Sequence, residues 1–105
     1  MQPPKTLRIM GRDFDVQHTS DDPEHDGACF PHECRISISE GLHPIEEADT
    51  LIHEVIHAIH YLLNIGLSYN MEEKVVRLTA TGLIQVFNDN PELLTYFAEV
   101  GRKKT

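Results

Sequence analysis

The chain begins with a period of two. Leu7, Ile9, Phe14 and Val16 alternate with Arg8, Asp13, Asp15 and Gln17, the pattern of strands with one buried face. Gly11 lies between the two runs, where a tight turn needs a permissive backbone, so residues 6–18 are expected to form a hairpin. Residues 19–27, with Asp21, Asp22, Pro23, Glu24 and Asp26, read as a polar surface loop, of which residues 21–26 are a candidate lid. A second hairpin is expected from residues 28–30 and 34–39, turning around Pro31, His32 and Glu33. In it Ile36 and Ile38 alternate with Arg35, Ser37 and Ser39, which suggests an edge strand with one wet face.

Beyond Gly41 the period lengthens. Ala48, Leu51, Ile52, Val55, Ile56, Ile59 and Leu62 recur at spacings of three and four, predicting an amphipathic helix over residues 45–65. Pro44 suits its first turn and Glu46, Glu47 and Asp49 suit its dipole, while Gly66 is the expected stop. A second helix is expected from Met71, with Asn70 as N-cap and Glu73 as the capping-box acid. Val75, Val76, Leu78, Ala80, Leu83, Ile84, Val86 and Phe87 supply its apolar side, and Gly82 is tolerated within it. Residues 88–91, Asn-Asp-Asn-Pro, break it, and a short third helix follows over residues 91–100, anchored by Leu93, Leu94, Tyr96 and Phe97. The expected fold class is α+β: a small antiparallel sheet in the N-terminal half, two antiparallel helices, and a short third one.

A length of 105 residues suits one domain spanning 1–105. A net charge of −8 argues against binding a nucleic-acid backbone, and the only basic cluster is Arg102-Lys103-Lys104, read as a solvated tail. No apolar run is long enough to span a membrane. Met1-Gln2-Pro3-Pro4-Lys5 has no apolar core of a secretory signal, so the expected location is cytoplasmic. Cys29 and Cys34 are expected to be reduced hairpin residues, although a disulfide or, with His32, a second metal site is an alternative.

The chemistry is carried by His53-Glu54-Val55-Ile56-His57. Histidines at i and i+4 share one helix face, so both imidazoles can reach one tetrahedral ion, zinc by preference. Glu54 then stands beside the ion and can relay a proton from a water the ion activates. A third ligand is needed. Glu72 and Glu73 are the candidates; Glu72 is preferred because it lies closer to the helix's mean apolar direction and because Glu73 has the capping role. His60 is a weaker candidate, three residues beyond His57. His18, His25, His32 and His43 are read as surface residues, and Tyr69 as a packing residue or a donor to a transition-state oxygen.

The run from Thr50 to Ile59, Thr-Leu-Ile-His-Glu-Val-Ile-His-Ala-Ile, resembles the "TLLHELLHAI" core of very small phage-type and bacterial zinc metallopeptidases. Glu72-Glu73-Lys74-Val75-Val76-Arg77-Leu78, then Gly82-Leu83 and Asn88-Asp89-Asn90-Pro91, is similar to their later "EE-x-VV-x-x-L … GL … DNP" region. The resemblance implies a minimal gluzincin-like fold in which two helices hold zinc through His53, His57 and a downstream Glu, here Glu72, with Glu54 as base. It also implies that an extended peptide or protein substrate adds as a strand beside residues 34–39. Two other classes fit the same residues: a binding module that keeps a non-catalytic zinc, and a metal-free helical interaction protein.

Overall fold

A computed structural model of the chain describes residues 1–20 and 24–103. Asp21, Asp22 and Pro23 of the candidate lid, and Lys104 of the basic tail, lie outside the described residues. The first hairpin pairs β1 (Thr6–Ile9) with β2 (Arg12–Thr19), Leu7 opposite Phe14 and Ile9 opposite Arg12. Its two-residue turn has positive φ at both Met10 (49°) and Gly11 (82°), the geometry whose twist matches that of the flanking strands.

The second hairpin joins β3 (Gly27–Phe30) to β4 (Arg35–Ser39) through a 3-10 turn at Pro31–Glu33. The sheet order is β1-β2-β4-β3, and β2 runs parallel to β4, with Val16 opposite Ile36. The sheet is therefore mixed, with two antiparallel pairs flanking one parallel pair. This also corrects the expected edge: residues 35–39 lie inside the sheet, and β3 forms the edge instead. The polar alternation of β4 was misleading because it does not report the strands on either side: Ser37, only 8% exposed, pairs with Gln17 on one side and Ala28 on the other, and its hydroxyl accepts from Arg35 at 3.1 Å.

Helix α1 (Pro44–Leu62) crosses the inner face of the sheet. Ile9, Phe14, Val16, Ile36, Ile38 and Ala58 form the main core, with Leu51, Val55, Ile59 and Leu62 of α1 packed against it. Each such side chain contributes roughly 1.5–3 kcal/mol on full burial. The opposite flank of α1 meets α2 (Tyr69–Asp89) through a smaller cluster of Ile56, Val76 and Ala80, joined by Ile52 and Leu83. Contacts of His57 with Glu72 and of Asp49 with Thr81 run in opposite chain directions, so the two helices are antiparallel.

Helix α1 ends before Gly66. Asn64 adopts a left-handed φ of 53°, its N–H bonds to the Tyr61 carbonyl at 3.1 Å, and the Ile65 N–H reaches the His60 carbonyl at 3.1 Å. This pair of bonds satisfies the orphan carbonyls of the last turn and reverses the chain. Helix α3 (Pro91–Arg102) follows α2 after the break at Asn90 and buries no residue. Among the described residues no helix is long and apolar enough to cross a membrane.

Candidate metal centre

His53 and His57 project from the part of α1 that faces α2, one turn apart. Their Nε2 atoms lie 3.2 Å from each other, and the rings meet edge to face with centroids 4.9 Å apart. Two ligands of a tetrahedral zinc at the usual Zn–N distance are about 3.3 Å apart, so the imidazoles already stand at ligand spacing. Burial, reinforced by His57 and Arg77 and opposed by Glu73 and Asp49, lowers the His53 pKa below its ordinary value, favouring the neutral ring that a metal requires.

The carboxylate that joins this pair is that of Glu73. Its Oε1 is 2.7 Å from His57 Nε2 and its Oε2 is 3.9 Å from His53 Nε2. Among the described residues His53, His57 and Glu73 are the group whose donor atoms converge closely enough to hold one ion. Glu72 lies on the other side of the ring: its Oε2 is 2.6 Å from His57 Nδ1. A carboxylate can only accept, so Nδ1 can donate to Glu72, and Nε2, which faces Glu73 and His53, is the nitrogen that would serve an ion.

This placement differs from the preference for Glu72, and the start of α2 explains why. The helix begins at Tyr69, where Ser68 Oγ accepts the Met71 N–H at 3.3 Å. The capping-box position therefore falls on Met71, and Glu73 has no capping role. Both acids flank the inward direction of the helix, Glu72 towards His57 and His60, Glu73 towards His53 and His57. His60 does not join the three converging donors. It is nearly buried behind Glu72, its Nδ1 3.9 Å from Glu72 Oε1 and without a hydrogen bond among the described residues.

Glu54 is 6% exposed and sits on the wall of an open cleft between β3, α1 and the start of α2. Burial, opposed by His57 and His25 and reinforced by Glu73, pushes its carboxyl up to about 7. Strand β3 passes very close here. A Cβ on Gly27 would lie 2.5 Å from Thr50 Cγ2 and 3.3 Å from Glu54 Oε2, so only glycine lets the edge strand approach the helix at this point. No family model, curated protein or solved structure matches this chain.

The remaining histidines have separate places. His18 bonds Glu47 at 2.8 Å and ties β2 to α1, and His43 caps α1 by accepting the Ile45 N–H. His25 lines the cleft. His32 is held 2.9 Å from the hydroxyl of Tyr61, which stands one turn beyond His57 and also lines the cleft, as does Tyr69. Tyr61 went unnoticed in the sequence, although its spacing of four from His57 is the same signal that joins the two histidines. Cys29 and Cys34 are both free thiols.

Proposed function

We propose that this chain is a zinc metallopeptidase that hydrolyses peptide bonds of an extended peptide or protein substrate. The observation that carries the reading is the convergence of two imidazoles and one carboxylate, from two helices, beside a buried glutamate on a cleft wall. Two nitrogens and one carboxylate are a donor set that zinc accepts and that leaves a coordination position open. His53, His57 and Glu73 would hold the ion. When bound, zinc supplies Lewis-acid polarisation of the scissile carbonyl and acidifies water.

The chain's own residues supply the rest. Glu54 is placed to take a proton from the attacking water and return it to the amine nitrogen as the C–N bond breaks and a C–O bond forms. Glu72 holds the His57 ring in one tautomer. Edge strand β3, in place of residues 34–39, offers unpaired backbone groups along the cleft to a substrate strand.

The test is cleavage of a peptide library by wild type and Glu54→Gln, with zinc content measured on both. The expected outcome is stoichiometric zinc in both proteins and cleavage by the wild type alone. Equal cleavage by both removes Glu54 from the mechanism. Zinc in both without cleavage by either identifies a binding module with a non-catalytic ion, and no zinc in either leaves a metal-free helical protein.

A further inference from the structure

The cleft beside the metal centre has two unlike ends, and its long axis follows α1. At one end Tyr61 of α1 meets His32, in the turn that follows β3, at 2.9 Å. Towards the other end Gly27, the first residue of β3, lies against Thr50. Strand β3 and helix α1 therefore run in the same direction along the cleft. The Tyr61 end is also lined by Leu67 and Tyr69, from the start of α2 and the connection before it, and all three side chains are exposed. The opposite end is lined by Glu24 and Asp26, just before β3, and by Asp49, one turn before His53. Arg77 of α2 is the only lysine or arginine among the described residues that line the cleft, so three acids outnumber one base there.

The helix sets the scale. From Asp49 to Tyr61 α1 rises about 18 Å, and His53 and His57 lie symmetrically between them. An extended chain rises about 3.3 Å per residue, so this length takes about five or six substrate residues, and each end lies about two or three residues from the metal centre. The edge sets the direction. Strand β3 is an edge strand, and a strand added to it pairs more stably antiparallel than parallel. A substrate antiparallel to β3 places its N-terminal part at Tyr61 and its C-terminal part at Asp49.

We infer that the preferred substrate is an extended peptide with an aromatic or large aliphatic side chain about two or three residues before the scissile bond, and a lysine or arginine about two or three residues after it. The apolar side chain covers Tyr61, Leu67 and Tyr69, which the chain itself leaves open to water. The cation is drawn by Asp26, Asp49 and Glu24 and by the net charge of −8, and an acidic side chain at that end meets like charge. The inference deepens the peptidase reading and rests on it for the position of the scissile bond.

The test separates recognition from cleavage. Three alanine-rich peptides serve as probes. The first carries a phenylalanine pair towards its N-terminus and a lysine pair towards its C-terminus. The second has the two pairs exchanged, and the third has glutamates in place of the lysines. Binding to Glu54→Gln with zinc present is measured by titration calorimetry, and cleavage by the wild type is mapped by mass spectrometry. The first peptide should bind most tightly, by about tenfold over the glutamate peptide, and should be cut between its two pairs. Asp26→Asn combined with Asp49→Asn should narrow the gap between the lysine and glutamate peptides, as should high salt. Tyr69→Ala should weaken the first peptide and leave its salt dependence unchanged. Tighter binding of the exchanged peptide overturns the direction, and equal binding of all three, or of none, overturns the inference. Selective binding of the first peptide without cleavage by the wild type upholds the inference and removes the peptidase reading. Cleavage of all three alike does the reverse.

Discussion

The carboxylates of Glu72 and Glu73 hold opposite edges of one ring: Glu72 lies 2.6 Å from Nδ1 of His57 and Glu73 lies 2.7 Å from its Nε2. Adjacent residues on a helix rarely share a target, since they point about 100° apart. Here they do so because His57 stands directly opposite the helix start and each acid approaches it from one side.

The two acids should therefore fail differently. Glu73→Ala removes a donor, and stoichiometric zinc should be lost during purification. Glu72→Ala leaves all three donors but frees the ring, and affinity should fall by about 10–100-fold with the site still fillable. Competition against a chelator of known affinity distinguishes the two. The opposite order, with Glu72→Ala the more damaging, would move the ligand back by one residue.

Gly27 gives a prediction about packing. Alanine there needs space already taken by Thr50 Cγ2, with the Ser37 carbonyl 3.0 Å away. Gly27→Ala should cost about 1–3 kcal/mol, in the range of other overpacked sites. Thr50→Ser removes the closest atom, so Gly27→Ala in that background should cost less. Thermal or urea unfolding of the four proteins measures the difference, and costs that simply add would show that the strand moves away as a unit.

Cys29 gives a prediction about pH. Burial, and then the charges of Glu54, Glu72 and Cys34, push its thiol from 9.0 up to about 12. The native chain keeps this proton where the unfolded chain gives it up. The stabilising contribution is thus complete below pH 9 and is lost as pH rises through about 12. Cys29→Ala should flatten the fall in stability between pH 9 and about 12, the window set by those values. Native wild type should also alkylate at Cys29 far more slowly than unfolded chain at pH 8, since the thiolate is the reactive form. Native and unfolded rates that match would show the thiol to be unshielded.

Local features were legible in the sequence because local physics decides them. The alternation around Gly11 specified the first hairpin, and the three-and-four spacing from Ala48 to Leu62 specified α1 and set His53 beside His57. What stayed hidden depends on distant neighbours. Alternation along residues 35–39 gives a strand two faces but does not say whether other strands lie on both sides. The parallel pairing with β2 is therefore visible only in three dimensions. Asn70 is the cap that the sequence suggests for α2, whereas Ser68, two residues earlier, takes that role, and the shift passes directly to the choice between Glu72 and Glu73. Val75, Leu78 and Val86 read as core because apolar periodicity reports what a helix could bury and not which side its own chain covers.

The reversal at Asn64 bears on how the third donor reaches the histidines. Residues 63–68 tether Glu73 to α1, so its carboxylate is presented to the His53–His57 pair at an effective concentration in the millimolar range or above. A free acid in solution would have to compete with water for the same place. That local supply depends only weakly on the tether: doubling a flexible loop costs only about 0.6 kcal/mol. The connection of residues 63–68 is then the place where the chain can grow, taking on extra residues while the three donors keep meeting.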